Sequence, residues 1–201
     1  MFTGIVEAMG TLAEVKGTGG GYRVRIHTPL AAQVKLGDSL AVNGVCLTVI
    51  LIDGEHALAD VGPETARVTT LGALQRGQSV NLERPLRFDG RVDGHFVLGH
   101  VDGVGTVDDV RAEAESHWVT IGFPPGLAAY FIRKGSVAVD GVSLTVAGLG
   151  ERQFDIQVIP YTWQNTTLKL LRAGDKVNLE CDMFGKYAVR AMELRTQQGS
   201  R

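Results

Sequence analysis

Cysteine and proline are scarce in this chain, at two and six of 201 residues. The thiols, Cys46 and Cys181, lack the close C-x-x-C pairing of a metal cluster, so no metal is expected. A single disulfide is open to them, but nothing else points to an oxidising compartment, and the cytoplasm is the expected location. No stretch approaches the roughly 18 apolar residues of a membrane span. The opening MFTGIVEAMG lacks the basic start and long apolar run of a signal peptide. Basic runs are absent too: 20 Lys and Arg face 22 Asp and Glu, for a formal net charge of −2. Nothing would gather a phosphate backbone, so nucleic acid is not an expected partner.

Glycine, by contrast, is abundant at 26 residues, and 44% of the chain is hydrophobic. Many short Val, Ile and Leu runs between glycines predict tight turns joining short strands, a mostly β protein. The chain also repeats itself. SLAVNGVCLTV (39–49) and SVAVDGVSLTV (136–146) agree at 8 of 11 positions, at an offset of 97. At the same offset, residues 61–83 and 158–180 agree at 12 of 23 positions, and both end in VNLE. GIVEAMGT (4–11) aligns with GHVDGVGT (99–106) at an offset of 95. A period this long is a duplicated domain rather than a solenoid unit of about 20–50 residues. The expected division is 1–95, with a polar linker at 87–95, then 96–183, then a tail over 184–201.

Within each copy, apolar residues alternate about Asn43-Gly44 or Asp140-Gly141, a strong hairpin signal. Thr65–Leu74 and Thr162–Leu171 each read as one short helical region after a proline. Short strands of this kind predict a small closed barrel, since closure removes exposed edges. In the tail, Tyr187, Ala191 and Leu194 recur at helical spacing with Ala188 and Met192 beside them. That amphipathic helix either folds back on its own barrel or packs on another subunit.

Several motifs have a plain structural reading. GTGGG (17–21) lacks the Gly-Lys-Ser/Thr ending of a phosphate cradle and reads as a hairpin loop. GVGTVD (103–108) fails the dinucleotide pattern because Asp108 replaces the third glycine. Of five histidines, only His100 stands out, because its counterpart in the first copy is Ile5; the other four read as structural. Cys46 and Ser143 correspond across the repeat, and Thr48 and Thr145 follow on the same face. Each could be a small packing residue, but two neighbouring polar groups on one face, in both copies, read as a site. No His–Asp pair adjoins Ser143 in sequence, so a hydrolase triad is not supported.

These segments also carry a family resemblance. MFTGIVE, GDSLAVNGVCLTV, GHFVLGHVDG, KGSVAVDGVSLTV, IPYT and VNLECDMFGKY resemble the riboflavin synthase family, in order and in duplicate, to about Tyr187. The resemblance implies an all-β fold of two six-stranded antiparallel Greek-key barrels in tandem, with a C-terminal helix at the core of a homotrimer. It implies that two molecules of 6,7-dimethyl-8-ribityllumazine become riboflavin and 5-amino-6-ribitylaminouracil by transfer of a four-carbon unit, without a cofactor. It also admits lumazine synthase as a partner.

By matching position, the resemblance implies that the first barrel binds through Gly4, Ile5, Val6, Cys46, Leu47, Thr48 and Asp60, Val61, Gly62, Pro63, Glu64, Thr65. The second would use Gly99, His100, Val101, Lys134, Ser143, Leu144, Thr145 and Gln157, Val158, Ile159, Pro160, Tyr161, Thr162. Phe2, Thr3 and Asp182 would lie close to the ligands, and the implied catalytic set is Ser143, His100, Cys46 and Asp182. Asp93, Leu98, Ala66 and Trp163 depart from the family pattern, at positions that touch loop shape and rim packing. A non-catalytic lumazine- or flavin-binding protein of the same fold is the rival reading; joint retention of the four catalytic positions argues against it. A nicotinamide-linked oxidoreductase would need a further domain, and two barrels and a tail account for every residue.

Overall fold

The computed structural model describes residues 1–198; the end of the tail expected over 184–201 lies outside the described residues. β1 (Ala8–Thr18), β2 (Gly21–His27), β3 (Ser39–Val42), β4 (Val45–Asp53), β5 (His56–Val61) and β6 (Ser79–Glu83) close into a barrel ordered β1-β2-β5-β4-β3-β6. The second half repeats it with β7 (Gly103–Glu113), β8 (Ser116–Gly122), β9 (Ser136–Val139), β10 (Val142–Leu149), β11 (Gln153–Val158) and β12 (Lys176–Cys181). Read from β7, that barrel runs β7-β8-β11-β10-β9-β12, the same topology. Bulges recur at equivalent places, between Leu12 and Glu14 and between Val107 and Asp109, and again between Val49 and Leu51 and between Val146 and Gly148. A bulge bends its strand, which a six-stranded sheet needs in order to close.

Alternation along the strands fills each barrel. In VNLE of β6, Val80 and Leu82 are fully buried in the first core, and Val177 and Leu179 do the same in β12. The intervening Asn81, Glu83, Asn178 and Glu180 are also buried, so both faces of these strands are covered. Asn81 reaches the other barrel, donating to the Asp140 carbonyl (2.9 Å) and accepting from Thr167 N (2.8 Å). Asn178 mirrors it, donating to the Asn43 carbonyl (2.9 Å) and accepting from Thr70 N (2.8 Å). The Asn43-Gly44 and Asp140-Gly141 turns have positive φ at both central residues, as a two-residue hairpin of this type requires. They also meet each other: a Cβ on Gly44 would lie 2.6 Å from Gly141 N. Glycine is required here twice over.

Each helical region expected after a proline is two pieces. The first is α1 (Pro63–Val68) followed by a 3₁₀ turn at Thr70–Ala73; the second is α2 (Pro160–Asn165) followed by one at Thr167–Leu170. Thr69 and Thr166 break them by going extended, each hydroxyl accepting from the backbone N two residues on. Trp163 of α2 stacks on His117 with ring centroids 3.9 Å apart. Their counterparts, Ala66 and Tyr22, instead line a cavity of about 640 Å³ beside the glycine-rich β1–β2 turn. Finally, α3 (Met183–Gln198) leaves the second barrel with Phe184, Tyr187, Met192 and Leu194 exposed. Its apolar stripe does not fold back on its own barrel.

Candidate functional site

Between the barrels, Phe2 and Val97 exchange backbone hydrogen bonds (2.6 and 3.1 Å), so the two lead-in segments run antiparallel. Each then lies against the opposite barrel. Ser143 N donates to the Gly4 carbonyl (2.7 Å), and Cys46 N donates to the Gly99 carbonyl (2.9 Å). Val6 packs on the second core and Val101 on the first. This corrects the expected grouping, which put Gly4, Ile5 and Val6 with Cys46 and put Gly99, His100 and Val101 with Ser143. The sequence order of the duplicate copies suggested that grouping; the crossing of the segments in space reverses it.

The second site gains a histidine that the sequence did not single out. His95 Nδ1 lies 2.8 Å from Ser143 Oγ. His95 N donates to the Thr3 carbonyl (3.1 Å), which fixes the segment beneath the ring. Gly94 fits the approach, since a Cβ there would stand 2.1 Å from the Thr3 carbonyl and 3.0 Å from Ser143 Oγ. Burial holds the imidazole below its ordinary pKa, and the negative charge of Asp182 partly opposes the shift. Among the described residues, His95 Nε2 is buried without a hydrogen-bond partner. Asp182 Oδ1 accepts from Phe184 N (2.9 Å), which ties that carboxylate to the start of α3. Ser143 and His95 are thus linked by a 2.8 Å contact and His95 by charge to Asp182, with burial favouring the neutral imidazole. Among the described residues no such group adjoins Cys46, which is half-buried, and His100 is exposed.

The remaining expected residues divide by the direction of their side chains. Thr48, Thr145, Lys134, Gln157, Ile159 and Tyr161 are exposed around the two hairpins, and Leu144 is half-buried. Leu47, Val61 and Val158 turn into the barrel cores, so only their backbones face outward. Phe2 is fully buried between the barrels with Ala41, Val97 and Ala138. Asp60 is held by Arg23 (2.7 and 3.0 Å), which lowers its pKa, and Glu64 is likewise lowered by Arg67. Gly62 is the N-cap of α1 and Pro63 its first residue, while Ile159 and Pro160 hold those places in α2. The carbonyls of Thr65 and Thr162 accept from the hydroxyls of Thr69 and Thr166 (2.6 and 2.8 Å). A cavity of about 520 Å³ opens beside Thr3 and Ile5, bordered by Lys35, Arg87, Arg91 and Asp93. Among the described residues, no three His, Cys, Asp or Glu side chains converge to hold a metal.

The chain matches the lumazine binding domain family twice, over residues 3–85 and 98–182. It is 41% identical to riboflavin synthase of Bacillus amyloliquefaciens over 201 residues, covering 100% of this chain and 94% of that one. It is 44% identical to riboflavin synthase of Mycobacterium bovis (strain ATCC BAA-935 / AF2122/97) over 200 residues, covering 96% and 98%. The chain belongs to the riboflavin synthase family. As a member of that family it is an enzyme, and its two barrels are the two lumazine-binding repeats. Among solved structures, LumP complexed with riboflavin superposes with a TM-score of 0.85 at 28% identity, over 90% of this chain and 99% of LumP. LumP complexed with 6,7-dimethyl-8-(1'-D-ribityl) lumazine gives 0.83 at 27%, with the same coverage. Among the described residues, no helix is long and apolar enough to cross a membrane.

Proposed function

We propose that this riboflavin synthase family member converts two molecules of 6,7-dimethyl-8-ribityllumazine into riboflavin and 5-amino-6-ribitylaminouracil. One barrel holds the donor of the four-carbon unit and the other holds the acceptor. The observation that carries this reading is duplication with unlike chemistry: equivalent hairpins present Cys46 in one barrel and Ser143, bonded to His95, in the other. Two identical substrates need two similar pockets, and an asymmetric reaction needs those pockets to differ.

The C7 methyl of the lumazine is acidified by its electron-poor ring, so a modest base suffices. Neutral His95, with Ser143 beside it, takes that proton, and Asp182 favours the imidazolium that forms. Cys46 assists from a first barrel. The residues named around Cys46 and Ser143 form the two binding sites, and the functional division falls at 95 and 183. The uncovered stripe of α3 supports a homotrimer in which the first barrel of one subunit faces the second barrel of another. Holding both rings face to face turns a bimolecular step into an intramolecular one, worth up to about 7–11 kcal/mol. Both cysteines are free thiols, in keeping with a cytoplasmic protein.

LumP complexed with the same lumazine shares this fold, so binding and conversion are measured apart. The two are separated by an absorbance time course of dialysed protein with 6,7-dimethyl-8-ribityllumazine as sole substrate. Riboflavin should appear at one per two lumazines consumed, with a chelator present. Binding of lumazine without conversion would overturn the proposed reaction.

A further inference from the structure

We infer that Glu83 and Glu180 are positioning residues, each setting the ligand site of the barrel opposite its own. Glu83 ends β6 of the first barrel, yet the segment it holds lies on Ser143 of the second. Its Oε1 accepts from Thr3 N (2.7 Å) and Thr3 Oγ1 (2.8 Å), and its Oε2 from Gly4 N (3.0 Å). Glu180 of β12 accepts from Leu98 N at Oε1 (2.7 Å) and from Gly99 N and His100 N at Oε2 (3.0 and 2.9 Å). The segment it holds lies on Cys46 of the first barrel. Each carboxylate meets three donors, the match expected of an acceptor-only group.

The tolerance for error at these contacts is small. A Cβ on Gly4 would fall 2.6 Å from the Ser143 Cβ, and one on Gly99 would fall 2.6 Å from the Cys46 Cβ. Both glycines also take positive φ (76° and 79°), a backbone that other residues rarely adopt. The barrels do not need these carboxylates to close, because β6 and β12 pair with their neighbours through the backbone. Burial works against the charge at both positions and raises both pKa values despite the donors. A buried carboxylate that closure does not require has one visible product, the seating of Gly4 on Ser143 and of Gly99 on Cys46. The inference rests on the reading that ligands bind at Cys46 and Ser143.

The test uses the full chain with Glu180→Gln and Glu83→Gln, and two probes blind to turnover. The first is alkylation of Cys46 by iodoacetamide; Cys181 is a silent background, since burial pushes its thiol up to about 12. Glu180→Gln should speed Cys46 alkylation roughly three- to ten-fold by letting Gly99 lift away, and Glu83→Gln should leave it unchanged. The second is the NMR titration of the His95 ring, which Glu83→Gln should move and Glu180→Gln should not. Should a glutamine variant fail to fold, the aspartate at the same position shortens the reach and serves instead. The uncrossed pattern, or no change in either probe, overturns the inference. Riboflavin should also slow Cys46 alkylation in the parent; if it does not, the site reading beneath the inference fails, whatever the crossed pattern shows.

Discussion

The two barrels share strand order, bulges, turns and buried carboxylates, yet they differ where chemistry would occur. The second places Ser143 against a half-buried His95, whose pKa burial lowers and the charge of Asp182 partly restores. The first places Cys46 against Gly99, and the next residue, His100, is exposed. The counterpart of Asp182 is Pro85, which carries no charge. Duplication thus kept the frame of the two barrels and diverged in the polar groups at the equivalent hairpins. A further difference lies in the core between the barrels, where Asn43 faces Asn81 and the acid Asp140 faces Asn178 in the same geometry.

The largest expected effect concerns how the unlike halves meet. Ending the chain after Lys186 keeps its bond to Asp102 (2.9 Å) and removes the exposed stripe of α3. The product should sediment as a folded monomer with turnover nearly abolished, because each Cys46 site then lacks a neighbouring Ser143 site. A truncated chain that still sediments as a trimer would show that α3 is not the assembly element.

A smaller effect sharpens the Asn43–Asp140 difference. Burial raises the Asp140 carboxyl from 3.8 to about 7, so the native state binds a proton that the unfolded chain has released. Stability therefore falls as pH rises from about 4 to about 7, and stays low above that. Asp140→Asn, which copies the first barrel, should stabilise by about 1–4 kcal/mol at pH 8 and by little at pH 4. Asn43→Asp should add a second loss over the same window. Denaturant midpoints across pH measure both, and an Asp140→Asn curve parallel to the parent's would contradict the account.

Much of this was legible in the sequence, and the gaps have physical causes. The repeated hairpins and VNLE strands announced two barrels, because alternation and Asn-Gly turns are local signals. The correspondence of Cys46 and Ser143 was visible for the same reason, since both sit in the repeated hairpins. The crossing of the lead-in segments was not legible, since it depends on two chain stretches meeting between finished barrels. His95 was passed over because it precedes the aligned part of the second copy, where no disagreement between halves could flag it. Its importance lies in the 2.8 Å contact to Ser143, a residue 48 positions away. Val61 and Val158 lie inside the expected binding stretches, yet each turns its side chain into a core. A match by position does not register which way a strand residue faces.

The central claim is that proton handling belongs to the Ser143–His95 side of the duplicated pair. Single-turnover kinetics against pH, with riboflavin affinity measured beside it, tests this most directly. His95→Ala and Ser143→Ala should each slow the chemical step by roughly ten- to a thousand-fold with affinity little changed. Because burial holds His95 below 6.5, the parent rate should fall on acidification through a pH below that value, where the ring protonates. His95→Ala should abolish that acid limb, while His100→Ala should keep it and cost less. A His95→Ala enzyme with a near-parental rate and an unchanged limb would contradict the account.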